Sequence, residues 1–232
     1  MATGAYIAAE GGKAMAAATL TISSRNYSPW SLRSWLLCKM ASLDVDVKAA
    51  SIDDPTNRAE LQLLSPSVLV PRLEHKGAKI WDTLSIAEHL AELNPDAGLL
   101  PVDRVIRAHC RSICGEMHAG FYNQRSALPM NIKAHYPSFK TWAGAKPDIA
   151  RVFAIWQDCI HQYGRPFLFG HELTMADAMY APVCTHFLTY GVMLDDVSAA
   201  YCRATMRWPA MADWVEATKL EPEELEEIDA EF

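Results

Sequence analysis

Thr19-Leu20-Thr21-Ile22-Ser23-Ser24-Arg25-Asn26-Tyr27-Ser28-Pro29-Trp30-Ser31-Leu32-Arg33 is the stretch on which the fold turns. Leu20 and Ile22 alternate with polar neighbours, the period-2 pattern of a short strand. The segment from Asn26 to Trp30 then redirects the chain. Pro29 is tolerated in a first helical turn, and the helix it opens is predicted to run to about Ala41. Trp30, Leu32, Trp35, Leu36 and Met40 give that helix its apolar face. A strand running straight into a helix N-terminus is a unit that must be covered by further strands and helices.

Those elements follow. Val45 to Ala49 reads as a second strand, and residues 54–64 as a short helix with Asp54 as a candidate cap. Leu69–Leu73 and Ala78–Trp81 read as two strands joined by a tight turn at Lys76-Gly77. Thr83 to Leu93 is helical and stops at Asn94-Pro95. The order is βαβαββα within residues 19–98, a small sheet flanked by helices. Residues 98–103, with Pro101, form a linker. Beyond it the strand signal fades. Ile106, Cys110, Ile113, Met117 and Phe121 recur at helical spacing. So do Ile149, Phe153, Trp156, Ile160 and Tyr163. Thr174 to about Tyr190 and Pro209 to Thr218 complete an all-α half over 103–232, with an acidic tail from Glu221 to Glu231. Residues 1–18, rich in alanine and glycine, read as a flexible leader without the charged start and apolar core of a signal peptide.

Composition narrows the function. Half of the 232 residues are hydrophobic and the formal net charge is −7. No basic cluster tracks a phosphate backbone, so nucleic acid is not an expected partner. No stretch approaches the ~20 apolar residues that span a bilayer, so no membrane association is expected. The six cysteines form no C-x-x-C pair and the eight histidines are scattered. They read as reduced, packed thiols of a reducing, cytoplasmic setting, with no metal site. Cys110 and Cys114, four apart on a helix, leave open a redox pair beside simple packing.

Three short features carry chemistry. Ser28 stands at a predicted helix N-terminus, where unpaired N–H groups and a partial positive charge favour a thiolate and lower its pKa. A hydroxyl there can donate to that thiolate, or can simply cap the helix. Pro71 in an apparent strand cannot donate to the ladder. Either the strand is an edge, or a cis Val70–Pro71 bond turns the chain and presents the backbone of Val70 to a ligand. Asp82-Thr83 can cap the following helix, or bind the amine and carboxylate of a ligand at its N-terminus.

Together, Asn26-Tyr27-Ser28-Pro29-Trp30-Ser31-Leu32-Arg33, Val70-Pro71 and Trp81-Asp82-Thr83-Leu84-Ser85-Ile86-Ala87-Glu88 resemble the glutathione-binding half of the glutathione transferase superfamily. Leu168-Phe169-Gly170 and Thr174-Met175-Ala176-Asp177-Ala178 are similar to its capping box, with Asp177 in place of the usual Glu or Gln. The run Glu116-Met117-His118-Ala119-Gly120-Phe121, with Arg125 and Leu128-Pro129-Met130-Asn131, resembles a bacterial, zeta-like branch. The resemblance spans roughly residues 19–220.

It implies a thioredoxin-like domain followed by an all-helical one. It also implies glutathione as co-substrate, a homodimer, and thiol transfer to a small hydrophobic electrophile, as in detoxification. A glutathione-dependent lyase or isomerase, or a non-catalytic binding module, are the alternatives. Ser28-Pro29-Trp30 is similar to the Ser-Pro-Phe or Cys-Pro-Phe motif of tau-like and omega-like classes, which implies Ser28 as the thiol-activating group. An alignment on Trp30 in the zeta manner implies Asn26 instead, with Tyr27 as a neighbouring phenol. Leu69, Val70, Pro71, Asp82 and Thr83 occupy the glutathione-binding positions. Val68 and Leu69 replace the usual Gly and a polar residue, which removes a side-chain contact to the glycyl end. Trp30, Met117, Phe121, Tyr122 and Arg125 are the implied walls of the second-substrate pocket.

Overall fold

The computed structural model describes residues 18–50 and 70–221. In its N-terminal half, β1 (Ala18–Ile22), α1 (Pro29–Met40), β2 (Val45–Ala49), β3 (Arg72–His75), β4 (Ala78–Ile80) and α2 (Thr83–Leu93) follow in order. The sheet order is β2-β1-β3-β4. β2 runs parallel to β1, whereas β3 and β4 are antiparallel to their neighbours. Leu20 lies between Val47 and Leu73 in this register, and Leu20, Ile22 and Leu73 are fully buried. The alternation at Leu20 and Ile22 thus marks the central strand, with α1 and α2 over the sheet.

Three strands have boundaries that differ from the sequence reading. The strand expected over Leu69–Leu73 is instead Arg72–His75, beginning with the Thr21–Arg72 pair. Pro71 precedes the ladder, so its missing N–H costs no ladder bond and β3 can be central. The strand expected to reach Trp81 ends at Ile80, and the Trp81 ring is 36% exposed. Between them Lys76 and Gly77 both have positive φ, 48° and 86°, as a two-residue hairpin of this twist requires. β1 starts at Ala18, inside the segment read as leader. Val68, Leu69 and the helix expected over 54–64 lie outside the described residues.

The second half is helical: α3 (Arg104–Ala119), α4 (Tyr122–Ala127), α5 (Lys146–Tyr163), α6 (Met175–Thr189), α7 (Asp196–Met206) and α8 (Pro209–Lys219). α3 does not continue to Phe121 as its apolar spacing suggests. It ends at Gly120, where an added Cβ would lie 2.8 Å from the carbonyl oxygen of Glu116, and Phe121 takes a left-handed conformation. α6 is buried along nearly its whole length, the mark of a central helix. It packs on α1, α3 and α7. The expected capping box is present: the Asp177 carboxylate accepts from the Thr174 N–H at 2.8 Å and also from the Leu168 N–H at 3.1 Å.

The halves are joined by buried polar contacts as well as by packing. Asn26 donates from Nδ2 to Asn131 Oδ1 at 3.0 Å, and its Oδ1 accepts from the Lys133 N–H at 3.0 Å. Glu221 reaches back to the β1–α1 loop. Its Oε2 accepts from Ser24 Oγ, Arg25 N and Asn26 N at 2.9, 2.7 and 3.0 Å. All six cysteines are buried and unpaired. Burial pushes the Cys38 and Cys159 thiols up to about 12, and raises those of Cys114 and Cys184 as well. Among the described residues no helix is long and apolar enough to cross a membrane.

Candidate functional site

The first turn of α1 places Ser28 where the sequence reading put it. Its extended backbone makes it the N-cap, and its Oγ accepts from the Ser31 N–H at 3.2 Å. Ser31 Oγ donates to Ser28 Oγ at 2.8 Å, while Ser31 Oγ itself accepts from the Ser23 N–H at 3.2 Å. A serine oxygen that accepts twice keeps its own proton to donate. The chain of donors from Ser23 through Ser31 to Ser28 polarises that hydroxyl. Capping therefore leaves the Ser28 proton available for donation outward. Ser31 is a member of the site that sequence reasoning did not single out; its signal is the Ser-x-x-Ser spacing across a predicted N-cap.

Tyr27 is half-buried, and its backbone N–H donates to Ser24 Oγ at 3.2 Å. Asn26 is 1% exposed and spends both ends of its amide on Asn131 and Lys133. Of the three candidates for thiol activation, Asn26 is thus the one tied into the join between the halves.

The Val70–Pro71 bond is cis and Pro71 is buried, at the start of β3. Across from it, Asp82 caps α2. Its Oδ1 accepts from the N–H groups of Leu84 and Ser85 at 2.9 and 3.3 Å. Its Oδ2 lies 3.5 Å from His118 Nε2. The carboxylate is 46% exposed on its side chain, so it remains open to a cationic ligand group. Thr83 is buried, its hydroxyl 3.4 Å from Ser34 Oγ. Its side chain braces α2 against α1, while the first-turn N–H groups of Leu84 and Ser85 are already taken by Asp82.

The third cluster is centred on Trp30. The Arg33 guanidinium lies 4.4 Å from the Trp30 ring centroid and that of Arg125 lies 5.5 Å from it. The His118 ring meets Trp30 edge-on at 5.3 Å. Arg33 is fully buried. Its Nε donates to the Met179 carbonyl at 2.7 Å, its Nη2 lies 3.3 Å from Met117 Sδ, and its Nη1 has no partner. Burial, reinforced by the field of Arg125, brings its pKa down to about 9. Arg125 donates from Nη1 to the Met117 carbonyl at 3.2 Å, and burial lowers its pKa too. Behind them Gln124 Nε2 lies 2.9 Å from His186 Nδ1. Burial, then the fields of Arg33 and Arg125, depress the His186 pKa to about 3.

Of the expected pocket walls, Trp30, Met117 and Arg125 come together here. Phe121 is buried at the α3–α4 corner, and Tyr122 is 74% exposed and shares no ring contact with the cluster. Arg33, Gln124 and His186 were not foreseen. The signal for Arg33 was an arginine lodged among Leu32, Trp35 and Leu36 on the apolar side of a helix.

Residues 27–93 match the family described as glutathione S-transferase, N-terminal domain, and residues 124–217 match glutathione S-transferase, C-terminal domain. A probable maleylacetoacetate isomerase of Caenorhabditis elegans is 26% identical over 68% of this chain and 73% of its own length. The probable maleylacetoacetate isomerase 1 of Drosophila melanogaster is 27% identical over 66% of this chain and 62% of its own length. Among solved structures, a Burkholderia glutathione transferase homolog with bound glutathione superposes with a TM-score of 0.66. It shares 20% identity and covers 87% of this chain and 97% of its own.

Proposed function

The chain belongs to the glutathione S-transferase superfamily, and on that premise we propose that it is a glutathione-dependent enzyme whose Ser28 activates the thiol. The observation that carries this reading is the Ser28 hydroxyl itself. It stands at the N-terminus of α1, accepts from Ser31 N and Ser31 Oγ, and keeps its proton for an outside acceptor. A thiolate placed against it gains that hydrogen bond and the positive end of the helix dipole. The γ-glutamyl end would lie near Asp82 and the N-terminus of α2, and the backbone of Val70 would pair with the cysteinyl part.

The thiolate then attacks an electrophilic carbon. In the transferase reading a leaving group departs and the sulfur stays bound to the product. In the isomerase reading the thiolate adds to a conjugated double bond, the bond rotates, and the thiolate is expelled, so glutathione is not consumed. The names of the two relatives favour the isomerase reading. A homodimer in a reducing, cytoplasmic setting belongs to the same proposal.

Calorimetric titration of glutathione, with Ser28→Ala alongside, is the direct test. Micromolar-to-millimolar binding by both, with turnover lost in the variant, supports the assignment. Absence of binding would leave a transferase-like fold with another ligand. Product analysis then separates consumption of glutathione from its regeneration.

A further inference from the structure

The loop that carries Ser28 to the start of α1 is held from the end of α8. Its donors converge on the carboxylate of Glu221. Oε2 accepts from Ser24 Oγ, Arg25 N and Asn26 N, and Oε1 lies 3.8 Å from Arg25 Nη1. Consecutive backbone N–H groups around one oxygen form an anion nest. The Glu221 side chain is 9% exposed, so solvent screens the contact little. The nest extends along the loop. Ser24 Oγ, while donating to Glu221, accepts from Asn26 N at 3.0 Å and from Tyr27 N at 3.2 Å. Each of the four residues before Ser28 is thus bonded to the carboxylate or to the hydroxyl that the carboxylate holds.

The acid is itself fixed from two sides. Lys133 Nζ donates to the Glu221 carbonyl, and the Lys133 N–H donates to Asn26 Oδ1. On α8, Trp214 Nε1 donates to the Arg25 carbonyl at 3.1 Å, and the Arg25 guanidinium lies 5.7 Å from the Trp214 ring centroid. The Trp214 ring also meets Trp35 of α1 at 5.3 Å. The order of this loop therefore depends on a group nearly two hundred residues away in sequence. Without the carboxylate, its donors lose their shared acceptor and the loop loses its reason to keep one arrangement.

We propose that Glu221 is a positioning residue, a built-in anionic ligand that holds the Ser28 loop in the form that accepts glutathione. The link to glutathione rests on the Ser28 reading above; the nest for a carboxylate does not. A loop ordered only part of the time weakens its ligand's affinity by the ordered fraction. Saturating ligand restores the ordered form, so the loss falls on KM and spares kcat. Ser28 is the opposite case, since its hydroxyl acts on the bound thiol.

Acetate rescue of Glu221→Ala tests this, because the substitution removes a methylene and a carboxylate and acetate can replace them. Glutathione affinity and steady-state rates are measured for the unaltered chain, Glu221→Ala and Glu221→Gln, with thermal melts alongside. In Glu221→Ala, Kd and KM for glutathione should rise at least about fivefold, as for a loop ordered about a fifth of the time, with kcat within about twofold. Glu221→Gln keeps an acceptor oxygen without the charge and should fall between. Acetate at about 100 mM should improve the affinity of Glu221→Ala by at least about twofold. Acetamide and chloride at the same concentration should not, and acetate should leave the unaltered chain as it was. A lowered melt with unchanged Kd would make Glu221 a structural tether and overturn the proposal. A loss confined to kcat, or an affinity that acetate does not restore, would overturn it equally. If the unaltered chain binds no glutathione, the thiol reading falls and the melts decide the nest. Acetate should then raise the melting temperature of Glu221→Ala at least about 1 °C more than that of the unaltered chain, and equal shifts would overturn the nest.

Discussion

Replacing Ser28 by alanine tests two roles assigned to one oxygen, the helix cap and the proposed thiol donor. As a cap, Ser28 Oγ holds the Ser31 N–H at 3.2 Å, and losing such a cap costs about 1 kcal/mol. For a chain of this length that lowers the melting temperature by about 2–4 °C. As the proposed donor, Ser28 would stabilise the thiolate, and removing one such hydrogen bond costs about 2.7–4 kcal/mol, or 10²–10³ in rate. Spent wholly on ionisation, the same energy would raise the bound thiol pKa by about 2–3 units. Ser31→Ala divides the two effects. It removes the 2.8 Å bond into Ser28 Oγ and keeps the backbone cap. If relay polarisation is worth about 10–30% of a bond, that variant loses about 0.3–1 kcal/mol, a two- to fivefold fall in rate. The assay is conjugation of 1-chloro-2,4-dinitrobenzene at saturating glutathione across pH, with melts on the same samples. Rates and pH profiles within twofold of the unaltered chain for Ser28→Ala would refute the argument and transfer the role to Tyr27 or Asn26.

Three further outcomes follow from the geometry. Asp82→Ala removes the acceptor of the Leu84 and Ser85 N–H groups; it should cost about 1 kcal/mol in a melt and weaken glutathione binding at least about tenfold, and unchanged affinity would detach Asp82 from the ligand. His186 stays neutral in the fold down to about pH 3 while the unfolded chain takes up a proton below 6.5. Stability tied to it is thus full above 6.5 and falls as pH drops, by up to about 1.4 kcal/mol per unit. The unaltered chain should lose melting temperature between pH 6.5 and 5 more steeply than His186→Gln, and parallel curves would refute this. Glu221→Ala strands the donors of Ser24, Arg25 and Asn26, a cost of about 1–3 kcal/mol. It should raise the KM for glutathione as the β1–α1 loop loosens, and an unchanged melt and KM would deny the tether.

The sequence made some of this plain and hid the rest for identifiable reasons. α1 could be placed from Pro29 and α2 from Asp82 because each has a cap and a stop at standard spacing. β3 was shifted because Leu69 and Val70 are apolar and pull a pattern reading upstream, whereas the ladder must start after Pro71. α7 went unread. Its buried positions are Ser198, Tyr201, Cys202 and Thr205, a polar set without the usual apolar stripe. The place of Ser28 at the N-terminus of α1 was legible because it depends on one local turn. The cluster around Trp30 was legible only in part: Trp30, Met117 and Arg125 could be named, whereas Arg33 and His186, on α1 and α6, join them only through packing of the two halves.

The six buried cysteines have a consequence for durability. A catalyst that handles thiol-reactive compounds is exposed to its own reagents. Here each cysteine sulfur is shut away from solvent, and burial raises the pKa of four of them, which favours the protonated form that does not alkylate. On the proposed reading the working nucleophile is the thiol of bound glutathione, so damage would fall on a replaceable molecule and not on the protein's own thiols.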